Sequence, residues 1–84
     1  MYKVFLSSYS EKFLKKCDKE LCNRLLEKIK GLSENPFPSE SKRVIGQEKV
    51  FRIRVGAYRI LYIVFHDKNE VLVSDIDKRS KIYD

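Results

Sequence analysis

Two β-rich runs separated by only two residues constrain this chain more than anything else in it. Val50–Val55 and Tyr58–Phe65 flank Gly56-Ala57, and glycine at the first central position of a two-residue loop suits a type II′ hairpin turn. That turn sets the register. Val55 faces Tyr58, Arg54 faces Arg59, Ile53 faces Ile60 and Arg52 faces Leu61. Strand side chains alternate between faces, so Phe51, Ile53, Val55, Tyr58, Ile60, Tyr62 and Val64 form one apolar and aromatic face that needs a cover. The opposite, open face carries Arg52, Arg54 and Arg59 beside the turn.

The cover comes from the first half. Tyr2–Ser7 alternates as a short strand, and Ser8-Tyr9-Ser10-Glu11 fits a capping box with Ser8 as N-cap and Glu11 at N3. Phe13, Leu14 and Cys17 make the apolar stripe of a short helix. Asp18 caps a second, whose inward face is Leu21, Cys22, Leu25, Leu26, Ile29 and Leu32. Asn35-Pro36-Phe37-Pro38-Ser39 ends that helix in the longest loop. A second turn at Asp67-Lys68-Asn69-Glu70 leads into a strand over Val71–Ile76, while Asp77–Asp84 shows no clear period. The expected fold is α+β in the order β-α-α-β-β-β, with the N-terminal strand and helical hairpin packed on one face of a mostly antiparallel sheet. At 84 residues, one domain over 1–84 is the expectation.

The charge balance narrows the partners. Eighteen Lys and Arg against twelve Asp and Glu leave +6, which favours an anionic partner. No apolar run approaches the ~18 residues of a membrane span, and Met1–Ser8 lacks signal-peptide anatomy, so a cytoplasmic location without membrane contact is expected. Cys17 and Cys22, at C-x4-C spacing with no second pair, read as small core residues rather than zinc ligands. His66, the one histidine, sits at the mouth of the distal turn, away from the arginines. Lys12, Lys15, Lys16, Lys19, Lys28 and Lys30 read as helix surface that could steer the chain toward RNA. Asp75 and Asp77 share a strand face; as a metal site they are weak, as ion-pair partners of the arginines reasonable. No cofactor and no metal is expected.

The arginines carry the functional signal. Arg52 and Arg54 stand about 6.7 Å apart along one strand, and Arg54 and Arg59 face one another with Cβ atoms about 5 Å apart, where like charges destabilise. Solvated pairing with Asp75, Asp77 or Glu48 is the alternative to a polyanion site. The strand after the distal turn runs back toward Gly56 and brings Lys78, Arg79, Lys81 and Tyr83 to the same end. Tyr83 adds a phenol able to stack on a base or exchange a proton.

The stretch Phe51-Arg52-Ile53-Arg54-Val55-Gly56-Ala57-Tyr58-Arg59-Ile60-Leu61-Tyr62 resembles the core signature of the RelE/ParE toxin superfamily. Lys42-Arg43-Val44-Ile45-Gly46 resembles its basic-apolar-Gly segment, and Arg79-Ser80-Lys81-Ile82-Tyr83 its terminal Arg-x-x-x-Tyr. The resemblance spans essentially the whole chain. It implies the toxin of a type II toxin–antitoxin system: either a RelE-like endoribonuclease cutting mRNA in the ribosomal A site, or a ParE-like inhibitor of DNA gyrase without nuclease activity. A nucleic-acid module that binds without chemistry is a third reading. The implied partners are a RelB-like antitoxin, mRNA and the ribosome, with the toxin monomeric inside the toxin–antitoxin complex. Carried over, the implied catalytic residues are Arg52, Arg54, Arg59, Arg79 and Tyr83, with Lys42, Lys49, Lys78 and Lys81 as further RNA contacts. Arg52 and Arg54 depart from the lysines of the well-studied nuclease. An arginine, with a pKa above ~12, cannot act as general base, although it can stabilise a dianionic transition state. Where some relatives have a histidine near the terminal tyrosine, this chain has Lys78 and Lys81.

Overall fold

The computed structural model describes residues 1–46 and 49–78. Its elements follow the chain as β1 (Lys3–Leu6), α1 (Ser8–Lys16), α2 (Lys19–Glu34), β2 (Lys42–Arg43), β3 (Val50–Val55), β4 (Tyr58–Phe65), a 3-10 turn (His66–Lys68) and β5 (Glu70–Lys78). The sheet order is β1-β5-β4-β3-β2. Among the described strands only the β1–β5 pair is parallel; the other three pairs are antiparallel. Both helices lie over one face, where Leu14, Leu21, Leu25, Ile29 and Leu32 meet Ile53, Ile60, Tyr62, Val64, Val71, Val73 and Ile76 in a single buried cluster. Tyr62 is fully buried, and its hydroxyl donates to the Pro36 carbonyl at 2.8 Å, tying the loop after α2 to the centre of the sheet.

The hairpin has the expected register, from Val55 opposite Tyr58 to Arg52 opposite Leu61. Gly56 has φ +59, and Asn69 is the one described non-glycine residue with positive φ. Position 57 therefore has negative φ, the type II′ combination. At the distal turn Asn69 takes the left-handed conformation, φ 54, and closes the 3-10 turn.

One irregularity decides what the far strand presents. Along β5, Val71 and Val73 point into the core, so strict alternation would send Asp75 and Asp77 inward after them. The ladder instead slips between Leu61 and Tyr62: Tyr62 faces Val73 and Leu61 faces Asp75, leaving Ser74 as an extra residue. Past it the parity is reversed. Ile76 is buried, and both aspartates emerge on the open face. The start of α1 holds this bulge, because Ser7 Oγ donates to the Ser74 carbonyl at 2.9 Å and the buried Ser10 Oγ donates to the Val73 carbonyl at 3.1 Å.

The structure corrects three local expectations. The N-cap of α1 is Ser7, whose hydroxyl accepts from Ser10 N–H at 3.1 Å; Ser8 is already helical. Ser7 wins because its side chain reaches both the helix end and the bulge. The last described strand runs to Lys78 rather than Ile76, carried on by pairing with β4. Lys42-Arg43 forms a two-residue edge strand that no periodicity announces. Asp18 caps α2 as expected, accepting from Leu21 N–H at 2.9 Å.

Replacing Ser7 with Ala removes both the cap and the tie to the bulge, and is expected to cost about 1–2 kcal/mol. Ser8→Ala should stay within about 0.5 kcal/mol. Urea-denaturation midpoints of the two variants compare the positions directly, and equal losses would place the cap elsewhere.

Candidate functional site

The register builds the open face in two rows. Lys42 on β2, Arg52 on β3, Leu61 on β4 and Asp75 on β5 are successive cross-strand partners. The row nearer the turn is Arg54 on β3, Arg59 on β4 and Asp77 on β5. Cations thus occupy the β2–β3 side and carboxylates the β5 side, with Arg59 between Arg54 and Asp77.

The three arginines differ in exposure. Arg54 is exposed and Arg52 half-buried, while Arg59 retains only 5% of its surface. All three were expected in the open; Arg59 is buried instead, although Leu61 and Ile63 on the same face of the same strand are only half-buried. A buried guanidinium needs compensation, and the carboxylate directly across from it is Asp77. At that cross-strand position a carboxylate is more favourable than a further cation would be. Asp77 is itself held in place: Tyr9 on α1 donates its hydroxyl proton to Asp77 Oδ2 at 2.7 Å, and Lys78 N–H donates to Oδ1 at 2.8 Å. That hydrogen bond to a carboxylate raises the Tyr9 pKa, with smaller contributions from burial and from the Asp77 and Asp75 charges. Asp75 has its pKa raised first by burial and then by repulsion from Asp77.

Two more cations stand at the hairpin tip. Lys78 is the cross-strand partner of Tyr58, next to the turn, and so lies on the helix side of the sheet with Tyr58 rather than on the arginine face. Arg24 reaches across from α2, and a Cβ added at Gly56 would lie 3.0 Å from its Nη2. Lys42 joins the face opposite Arg52. Lys49 does not join it; it borders a cleft at the other end of β3, beside Phe37, Phe51 and His66. His66 is exposed and remote from the arginines, as its place in the distal turn implied. Arg79, Lys81 and Tyr83 lie outside the described residues. Arg24 and Tyr9 escaped the sequence reading. Arg24 sits among surface helix residues, and nothing local links Tyr9 to a strand near the other end of the chain. Among the described residues no three His, Cys, Asp or Glu side chains gather as a metal site. Chemically, the face can bind and neutralise a polyanion at its arginine side.

Comparisons with known proteins agree with this architecture. Residues 4–83 match the family described as "ParE toxin of type II toxin-antitoxin system, parDE". A curated Methanocaldococcus jannaschii protein named "Putative toxin RelE1" is 35% identical over 60 residues, 68% of this chain and 67% of its own. Among solved structures, the archaeal RelE–RelB complex from Pyrococcus horikoshii superposes with a TM-score of 0.84 at 24% identity, covering 96% of this chain and 98% of that one. The isolated E. coli RelE toxin superposes with a TM-score of 0.82 at 21% identity, covering 93% and 84%. These structural likenesses establish a shared fold.

The raised Asp75 pKa has a signed consequence. A carboxyl whose folded pKa lies above its unfolded value favours folding when protonated and opposes it once pH passes the folded pKa. Asp75→Asn should therefore raise Tm at pH 7, and the gain should vanish as pH falls below the ordinary value of 3.8. Thermal melts of both proteins from pH 3 to pH 8 test this; a gain that grew toward acid would reverse the sign.

Proposed function

The chain belongs to the RelE/ParE toxin superfamily of type II toxin–antitoxin systems, and from that premise we propose that it is a RelE-like endoribonuclease that cleaves mRNA in the ribosomal A site. The observation that carries this reading is the register that sets Arg54 opposite Arg59, with Arg52 on the same face. Folding has no use for adjacent like charges, whereas a phosphate dividing its charge over several oxygens does. Arg59, fixed by burial, meets developing negative charge without reorganising, the condition under which electrostatic stabilisation is strongest. Exposed Arg54 and half-buried Arg52 complete the cradle, and Lys42 extends it along the strand of RNA. Arg79 and Tyr83 are assigned by the resemblance as a further phosphate contact and a stacking platform.

In this mechanism the ribose 2′-oxygen attacks the adjacent phosphorus and the P–O5′ bond breaks. The 2′-hydroxyl proton leaves to an acceptor other than the arginines, and the departing 5′-oxygen takes up a proton. The ends formed are a 2′,3′-cyclic phosphate and a 5′-hydroxyl. Charge stabilisation by guanidinium groups supplies what a metal supplies in other nucleases, so the reaction is proposed to proceed without one. Placement of the RNA by the ribosome supplies the in-line geometry. An antitoxin resembling RelB, acidic enough to complement a +6 chain, is the proposed inhibitor, and the cytoplasm the proposed location.

The family match itself, described as ParE, favours a second reading: inhibition of DNA gyrase without cleavage of RNA. Induction in cells, following translation and DNA integrity separately, divides the two. Halted translation with truncated mRNA supports the nuclease; DNA breaks with translation running overturn it.

Two measurements test the site. A single 2′-deoxy nucleotide at the cut should block cleavage with little loss of binding, and 5′-phosphate ends would rule out the mechanism. Arg54→Ala should lower the cleavage rate about 100-fold or more with the melting temperature nearly unchanged. Arg59→Ala should lose activity and about 1–3 kcal/mol of stability together, because it removes a buried cation facing Asp77.

A further inference from the structure

A chain of aromatic rings leads from the centre of the core to the surface at the end of the sheet away from the Gly56 turn. It begins at fully buried Tyr62, on which Phe51 stacks with centroids 5.9 Å apart and planes at 24°. Phe37, from the loop after α2, meets Phe51 edge-on at 5.0 Å. His66 stacks on Phe37 at 5.3 Å and 27°, and its Nδ1 lies 3.3 Å from the Tyr2 hydroxyl. Sealing the core accounts for the inner two rings. It does not account for the outer two, since Phe37 keeps 38% of its surface and His66 is exposed.

These outer rings line a half-open cleft of about 560 Å³ together with Arg43, Lys49 and Asp67. The volume falls in the range of small-molecule sites. Arg43 and Lys49 stand on the two arms of the β2–β3 turn, which the Val44 N–H to Val50 carbonyl hydrogen bond closes at 2.8 Å. The Arg43 guanidinium lies 5.5 Å above the Phe51 ring. Among the described lining residues Asp67 is the one carboxylate, beside Arg43, Lys49, His66, three phenylalanines and Val64. Arg43 faces Phe51 in the ladder and so lies on the helix side of the sheet, opposite the arginine face.

We propose that this cleft binds a nucleoside phosphate, with the base against the Phe37–His66 rings and the phosphate between Arg43 and Lys49. Aromatic faces stack on any base, guanidinium and ammonium groups hold phosphate, and a carboxylate accepts from an exocyclic amine. Adenine, guanine and cytosine have that amine and uracil does not, so the cleft should discriminate against uridine. The site is separate from the arginine face, so it stands or falls independently of the nuclease reading.

His66 is the chain's one histidine, and its ring C–H signals in NMR therefore report on this cleft alone. Titration of the full chain with 5′-AMP should move them saturably, with 5′-UMP binding more weakly. Adenosine or inorganic phosphate alone should bind at least about 5-fold more weakly than AMP. Phe37→Ala and the double variant Arg43→Gln/Lys49→Gln should each weaken AMP binding by at least about 5-fold. Both variants change exposed side chains, so the fold should persist. A 2′-O-methyl trinucleotide, which cannot be cleaved through the 2′-oxygen, distinguishes the sources: tighter binding than AMP assigns the cleft to an RNA strand, and equal binding to a free nucleotide. The proposal is overturned if AMP leaves His66 unmoved, if phosphate alone binds as tightly as AMP, or if the double variant binds unchanged. It is equally overturned if a glutamate-rich peptide moves His66 where nucleotides do not, which would mark a protein-docking surface.

Discussion

The bulge at Ser74 is the constraint on which the arrangement of this molecule turns. Two serine hydroxyls from the start of α1 hold the carbonyls of Val73 and Ser74. That small network reverses the facing of everything after it on β5. Without the reversal, two carboxylates would enter a core of leucine, isoleucine and valine, a burial cost no apolar contact could repay. With it, Ile76 fills the core and Asp77 arrives opposite Arg59. The same hydroxyls that begin a helix thus decide the electrostatics of a face formed by other strands.

That face balances repulsion against compensation. Arg54 and Arg59 oppose each other across a tight hairpin, and the central guanidinium has little access to water with which to screen itself. Asp77 is its register partner on the next strand, and Tyr9 on the helix holds that carboxylate. The result is an asymmetric surface, cationic toward β3 and acidic toward β5. Any polyanion laid across such a surface would meet attraction on one side and repulsion on the other.

What was legible in the sequence was what neighbouring residues decide together. The Gly56-Ala57 turn, the register of the arginines, the Asp18 cap and the inward stripe of α2 all follow from contacts close in the chain. What was not legible depends on residues far apart. Ser7 rather than Ser8 caps α1 because of a strand more than sixty positions later. Arg59 is buried while Leu61 and Ile63 on the same face of its strand are only half-buried, a difference no pattern in the hairpin carries. Lys49, expected among the RNA contacts, instead borders the cleft beside Phe37 and His66, at the end of β3 away from Gly56, a placement set by residues far from it in the chain. Arg24 reaches the turn only through the packing of α2 over the sheet.

The parallel pairing of β1 with β5, Lys3 against Glu70 through Leu6 against Val73, has a kinetic consequence. The hairpin of β3 and β4 closes through a two-residue loop and can form within microseconds. The sheet cannot be completed so early, since its first-made strand waits for its last. Contacts between such distant segments carry the greatest loop-closure entropy and slow folding most. A lone hairpin is marginal in water, and facing arginines weaken this one further. The arginine pair is therefore held face to face only once β5 has joined the sheet and the sheet as a whole has closed.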